Sequence, residues 1–149
     1  MTLPIQSAAE IAIACTEEDI RRCFPVMAEL RAHLTEAAFV AQVQRQQRDS
    51  RYHLAALAQD SVVQAVAGYR FSEHLAWGRI LYVDDLVTAS AHRSQGYGET
   101  LFEWLREQAR AAGCGELHLD SGVQRFGAHR FYLNQRMDIS CHHFALKIA

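Results

Sequence analysis

Lysine is nearly missing from this chain. Of its 15 basic residues only Lys147 is a lysine, so the positive charge is almost all arginine. Arginine suits bidentate contacts to anions better than lysine, although a composition bias alone produces the same count. Charge of either sign is also lacking in excess. Fifteen basic residues meet 17 acidic ones, a net charge of −2, which gives no overall pull toward nucleic acid. The four cysteines (Cys15, Cys23, Cys114, Cys141) form no CxxC pair, which argues against a disulfide framework or a zinc site and for reduced thiols in a cytoplasmic protein. The eight histidines are scattered, and the adjacent His142 and His143 point to opposite faces of any strand, so no metal is expected. No stretch approaches the ~20 apolar residues of a membrane span. The opening MTLPIQSAAE has no basic segment and no long apolar run, so no signal peptide is expected. Internal repeats, low-complexity segments and linkers are missing too.

What is present fits one globular domain over residues 1–149, with half its residues hydrophobic and 21% charged. Glu10–Ala14 alternates polar and apolar and predicts a strand. Thr16 and Asp19 form a capping-box pattern that opens a helix to Leu30, with a kink or break expected at Pro25. Thr35 is a second N-cap, flanked by Leu34 and Phe39 at hydrophobic-staple positions, for a helix to Arg48. Tyr52–Ala58 and Val62–Arg70 read as strands joined by Gln59-Asp60-Ser61. A loop over Ser72–Gly78 precedes a strand over Ile80–Thr88, which carries Asp84 and Asp85 in its middle.

A helix from Gly96 to Ala112 follows, ended by Gly113 and Gly115. Then come a short strand over Glu116–Asp120, a helix over Arg125–Gln135 and a last strand over Ile139–Ile148. Ile80–Thr88 and Glu116–Asp120, joined through a helix, should be parallel neighbours, and the earlier strands antiparallel. The fold class is mixed α/β, a sheet with helices packed on it.

The chemistry concentrates in Ser90–Leu105. A strand leads into Arg93, glycines follow at 96 and 98, and a helix begins. The glycines allow close backbone approach. The N–H groups from Gln95 to Gly98, the helix dipole and Arg93 converge on one place, which suits a phosphate or diphosphate. A plain strand-to-helix turn has the same pattern. The GK[ST] ending of a P-loop and the full GxGxxG fingerprint are both missing.

Arg93-Ser94-Gln95-Gly96-Tyr97-Gly98 resembles the [RQ]xxGx[GA] pyrophosphate loop of the GNAT superfamily of N-acetyltransferases. Asp84-Asp85-Leu86-Val87-Thr88 resembles that family's acidic–Leu–x–Val strand, and Ala128-His129-Arg130-Phe131-Tyr132 its AxxLY segment. The three motifs stand in the family's order and spacing, and the order of elements matches too, so the resemblance covers nearly the whole chain. The departures are Arg125 where many members carry Asn, Arg136-Met137 in place of Gly-Phe, and Ser90 in place of Pro. The first puts a cofactor contact from that position in doubt, and the second is expected to alter the turn into the last strand.

The resemblance implies a mostly antiparallel twisted sheet with a splayed parallel strand pair. Acetyl-CoA would be the donor co-substrate, and a primary amine of a small molecule or protein the acceptor in a ternary complex. Leu86, Val87 and Thr88 would present backbone groups to the pantetheine, one N–H stabilising the oxyanion. Arg93, Ser94, Gln95, Gly96, Tyr97 and Gly98 would hold the diphosphate. Tyr132 matches the general acid. A phenol near ~10 can protonate a thiolate whose thiol titrates near ~8.5, although Tyr132 also reads as a core aromatic. Asp84 or Asp85 would take the amine's proton, directly or through water. Strand alternation lets one face the cleft, with Asp84 the first choice. His118, Asp120 and Ser121 are candidates for the acceptor pocket. The family also implies a homodimer, with no membrane and no nucleic acid as partner. A non-catalytic acyl-CoA-binding or regulatory domain is the alternative, and an RNA-directed acetyltransferase is disfavoured by the near-neutral charge.

Overall fold

The structure, a computed structural model, describes residues 8–93 and 95–149. Its helix ends follow local signals. Thr16 caps α1 (Glu17–Leu30). Its hydroxyl accepts from Asp19 N–H at 3.1 Å, while the Asp19 carboxylate accepts from Thr16 N–H at 3.4 Å. Such a cap contributes ~1 kcal/mol. Thr35 caps α2 (Glu36–Asp49) through its hydroxyl alone, accepting from Ala38 N–H at 3.2 Å. Of the kink or break expected at Pro25, the break does not occur, and α1 runs through it. The proline lies on the exposed side of the helix, where the lost helix bond costs less than in the core.

Among the described residues five strands lie in the order β1 (Glu10–Ile13), β2 (His53–Gln59), β3 (Val62–His74), β4 (Gly78–Thr88) and β5 (Glu116–Leu119). The first four are antiparallel neighbours. The β2–β3 hairpin turns on Asp60 and Ser61, both with positive φ, as a tight two-residue turn between right-twisted strands requires. The loop expected over Ser72–Gly78 is mostly strand. β3 and β4 stay paired out to His74 and Gly78, leaving three residues for the turn. Between β4 and β5 comes α3 (Tyr97–Ala111). β5 is parallel to β4, and Gly115 N–H donates to Arg79 C=O at 3.0 Å where the two strands begin.

Helices α1 and α2 cover one face of the sheet. Ile20, Cys23, Met27, Phe39 and Val43 pack there with Tyr52, Leu54, Val66 and Val87. Each fully buried aliphatic of this kind contributes about 1.5–3 kcal/mol of transfer free energy. Leu34 packs against the same cluster as Phe39, in keeping with a hydrophobic staple. On the other face α3 sets Trp104 against Tyr69, with ring centroids 5.9 Å apart. Tyr69 pairs with His53, the neighbour of Leu54, so alternation puts the two clusters on opposite faces.

By contacts the chain divides into two units, residues 1–118 and 119–149. The second contains α4 (Phe126–Asn134). There His129 bonds Gly122 C=O through Nε2 at 2.8 Å, and Arg125 N–H donates to the same carbonyl at 3.0 Å. After α4, Arg136 N–H donates to Leu133 C=O and Met137 N–H to Tyr132 C=O, with Arg136 at φ 66°. These are the two bonds of a Schellman cap. The departure from Gly at this position therefore leaves the helix-ending turn in place, with arginine adopting the left-handed conformation that glycine takes more easily.

The strand expected over Ile139–Ile148 does not form. Ile139, Phe144, Leu146 and Ile148 are exposed. Alternation of apolar residues marks a face, but a strand also needs a ladder partner, and among the described residues this segment has none.

Candidate active site

The two acidic residues of β4 sit at an irregularity in the sheet. Gly68 pairs with Asp85 and Tyr69 with Val83, so Asp84 is an extra residue with no partner on β3. This β-bulge interrupts the alternation that would have sent the two carboxylates to opposite faces. Asp85 lies in a row with Gly68 and Leu54, on the face that α1 and α2 cover. Asp84 joins Arg70, which alternates with Tyr69 and so belongs to that face as well.

Each carboxylate has its own arginine. Arg70 grips Asp84 with two bonds, Nε to Oδ1 at 2.9 Å and Nη2 to Oδ2 at 2.6 Å. Arg31, in the turn that ends α1, donates through Nε to Asp85 Oδ1 at 2.8 Å and through Nη2 to the Asp84 carbonyl at 3.0 Å. The second oxygen of Asp85 accepts from the Tyr52 hydroxyl at 2.8 Å. Burial and the adjacent Asp85 charge hold the Tyr52 phenol well above its ordinary range, so it stays protonated and remains a donor. Arg70 also lies over the Tyr52 ring, 5.6 Å from its centroid, which closes the network.

Asp85, Arg31 and Tyr52 line a cavity of about 240 Å3 whose other walls come from α1, α2 and the turn between them. Its apolar side is Met27, Leu34, Phe39 and Val43, and its polar side His33, Gln42 and Gln46. Asp84 is not part of the wall. Nor is His118, whose ring packs against Trp77 at 4.3 Å. In the second unit Asp120 lies 3.4 Å from His143 Nδ1, and Ser121 Oγ is buried with no partner among the described residues.

The glycine turn has the form that anion binding requires. A 3-10 turn over Ser90–His92 leads to the exposed Arg93. Gly96 caps α3 at φ 79°, a left-handed conformation that side chains rarely adopt. The first bond inside the helix runs from Thr100 N–H to Gly96 C=O at 2.9 Å. The N–H groups of Gly98 and Glu99 therefore have no acceptor within the helix. Ser94 lies outside the described residues. Leu86, Val87 and Thr88 pair with Ala67, Val66 and Ala65 on β3 and run directly into this turn.

In the second unit Tyr132 lies on α4, half-buried, its ring 5.6 Å from Phe131. Burial raises its pKa, while the neighbouring Arg125 acts in the opposite direction through its charge and a hydrogen bond. Arg125 thus has a partner on its own helix, in the position where a cofactor contact was in doubt.

Sequence reasoning missed Arg31, Tyr52, Gly68 and Arg70. Only Gly68 carried a legible signal, since an isolated glycine inside a strand pattern marks a bulge or a close approach. Among the described residues there is no group of three His, Cys, Asp or Glu placed to hold a metal, and no helix long and apolar enough to cross a membrane.

The fold is one shared by solved acetyltransferases. The chain superposes on the aminoglycoside N-acetyltransferase AAC(6')-Iy, solved in complex with CoA, with a TM-score of 0.81 at 11% identity, over 99% of this chain and 100% of that one. A model of the acetyltransferase (GNAT) family matches residues 14–137, and the chain belongs to that family. It is 33% identical over 120 residues to the uncharacterised N-acetyltransferase YhdJ of Bacillus subtilis, covering 80% of this chain and 84% of that one. It is also 37% identical over 62 residues to the aminoalkylphosphonate N-acetyltransferase of Salmonella typhimurium, covering 42% and 39%. The protein is an acetyl-CoA-dependent acyltransferase.

Proposed function

We propose that the protein transfers the acetyl group of acetyl-CoA to the primary amine of a small molecule that enters the cavity between α1, α2 and β4. The observation that carries this is Asp85, a carboxylate in the wall of a cavity of about 240 Å3 that has an apolar side and a polar side. That volume suits a small molecule better than a protein side chain with its backbone. The Salmonella relative, named for a small amine acceptor, supports the same choice.

In this reading Asp85, rather than Asp84, accepts the proton that the ammonium must lose before it can attack. Asp84 is held at both oxygens by Arg70 and stays outside the cavity. Backbone groups of Leu86–Thr88 hold the pantetheine, one N–H meeting the oxyanion of the tetrahedral intermediate. Gln95–Gly98 and Arg93 hold the diphosphate. Tyr132 protonates the departing thiolate, a role supported by burial that keeps its hydroxyl protonated at neutral pH.

Thiol release from acetyl-CoA in the presence of a panel of small primary amines tests the proposal. Turnover is expected, and Tyr132→Phe should lower kcat by about 10²-fold, in the range of a lost general acid. Tight acetyl-CoA binding without turnover on any amine would favour a non-catalytic acyl-CoA-binding domain.

A further inference from the structure

The cavity lining holds two opposite charges side by side. It presents one full positive charge, Arg31, and one full negative charge, Asp85, joined at 2.8 Å. A purely cationic amine approaching Asp85 meets a guanidinium already seated on the same carboxylate, and like charges repel at that range. The other acid offers no substitute, because Arg70 neutralises Asp84 through two bonds. An amine that carries an anion of its own meets no such obstacle. Its anionic group draws the Arg31 guanidinium, and its ammonium takes the place vacated on Asp85.

We propose that the acceptor is a small zwitterion, an amine with a carboxylate, phosphonate or phosphate a few bonds away, and that Arg31 binds the anionic group and thereby uncovers Asp85. This rests on the acetyltransferase reading above. To make the exchange Arg31 gives up its bonds to Asp85 Oδ1 and to the Asp84 carbonyl. It lies in the turn after α1, and its side chain is 41% exposed against 14% for Asp85. Its planar fork fits a carboxylate or phosphonate as well as it fits Asp85. His33 lines the same cavity two residues on and supplies a further donor. Tyr52 keeps its bond to Asp85 Oδ2, so the carboxylate stays oriented while Arg31 moves. With Arg31 displaced, the ammonium passes one proton to Asp85, and the free amine forms the N–C bond to the thioester carbon. On collapse the C–S bond breaks and the thiolate takes the Tyr132 proton. The second proton lost by nitrogen restores that hydroxyl through water. The products are the amide, CoA thiol and one proton.

The test compares β-alanine and 2-aminoethylphosphonate with propylamine and 1,3-diaminopropane in the thiol-release assay, for the wild-type enzyme and for Arg31→Gln. The wild type should prefer the two zwitterions over propylamine by at least about tenfold in kcat/KM, as expected for a charge-assisted contact. Arg31→Gln should collapse that ratio toward one, mainly through KM for the zwitterions. Acetyl-CoA binding, measured by calorimetry, reports whether the variant is folded. Equal use of propylamine and β-alanine by the wild type, or an Arg31→Gln loss that is the same for every amine, overturns the proposal. Calorimetric titration of the CoA-loaded protein with 2-aminoethylphosphonate separates the two readings. Arg31-dependent binding without turnover upholds zwitterion recognition and removes the transfer reaction. Turnover on diamines with no zwitterion binding does the reverse.

Discussion

Tyr52 reaches Asp85 across a strand position that has no side chain. The hydroxyl donates to Oδ2 at 2.8 Å, directly over Gly68. A Cβ at residue 68 would overlap the Tyr52 hydroxyl and stand 2.7 Å from Asp85 Oδ2. Gly68 therefore keeps open the space in which a buried phenol positions a cavity carboxylate. Gly68→Ala should destabilise the protein by about 1–3 kcal/mol, the range for overpacking. It should also lower kcat/KM, because Asp85 loses its fixed partner. Combined with Tyr52→Ala, which removes the clashing ring, it should cost less than the sum of the two single changes. Urea unfolding of the four proteins of the cycle measures this coupling.

Arg136 takes the left-handed position of the cap that ends α4, at φ 66°. A side chain there raises the backbone energy, and glycine does not. Arg136→Gly should stabilise the protein by about 1 kcal/mol, seen as a higher urea midpoint with an unchanged slope. An unchanged or lower midpoint would mean that the arginine side chain contributes more than the strain removes.

The buried thiol and phenols predict a loss of stability in alkali. Burial pushes Cys23 from 9.0 up to about 12, and Tyr69 from 10.0 up to about 12. Tyr52 moves in the same direction. In each case the unfolded chain loses the proton first. The stabilisation is therefore complete below about pH 9 and is lost as pH rises from there toward 12. The slope approaches about 1.4 kcal/mol per pH unit for each group in its window. Urea midpoints at pH 8, 9.5 and 11 should be level at first and then fall. Cys23→Ala should delay the onset to about pH 10, where the tyrosines take over.

Arg93 and the α3 N-terminus make a prediction about the donor alone. If Arg93 holds the diphosphate, Arg93→Ala should raise KM for acetyl-CoA about tenfold, the scale of one charge-assisted contact, with kcat little changed. Acetyl-pantetheine lacks the diphosphate and should react equally well with both proteins. Equal KM values for acetyl-CoA would remove Arg93 from the cofactor site.

Much of the fold was written locally. A capping hydroxyl at Thr16 or Thr35 acts on an N–H three residues away, and a left-handed glycine at 96 or 113 acts within its own turn. Alternation and helical spacing placed β1 to β5 and all four helices within a few residues. It failed for Ile139–Ile148, because pairing depends on a neighbour that the segment cannot specify. The family motifs around Asp84, Gly96 and Tyr132 were likewise legible, since each is a short run along the chain.

The sequence by itself determined the helices, the turns and the succession of strands along the chain, because those depend on interactions between residues close in the chain. Its short motifs resemble those of a family whose donor is acetyl-CoA. Only the tertiary structure decided which acid faces the cavity and what surrounds it. Arg31 meets Asp85 from 54 residues away, Tyr52 from 33, and the bulge at Asp84 exists only in the register with Gly68 and Tyr69. Charge partners, cavities and register arise from packing distant segments together, and no local pattern encodes them.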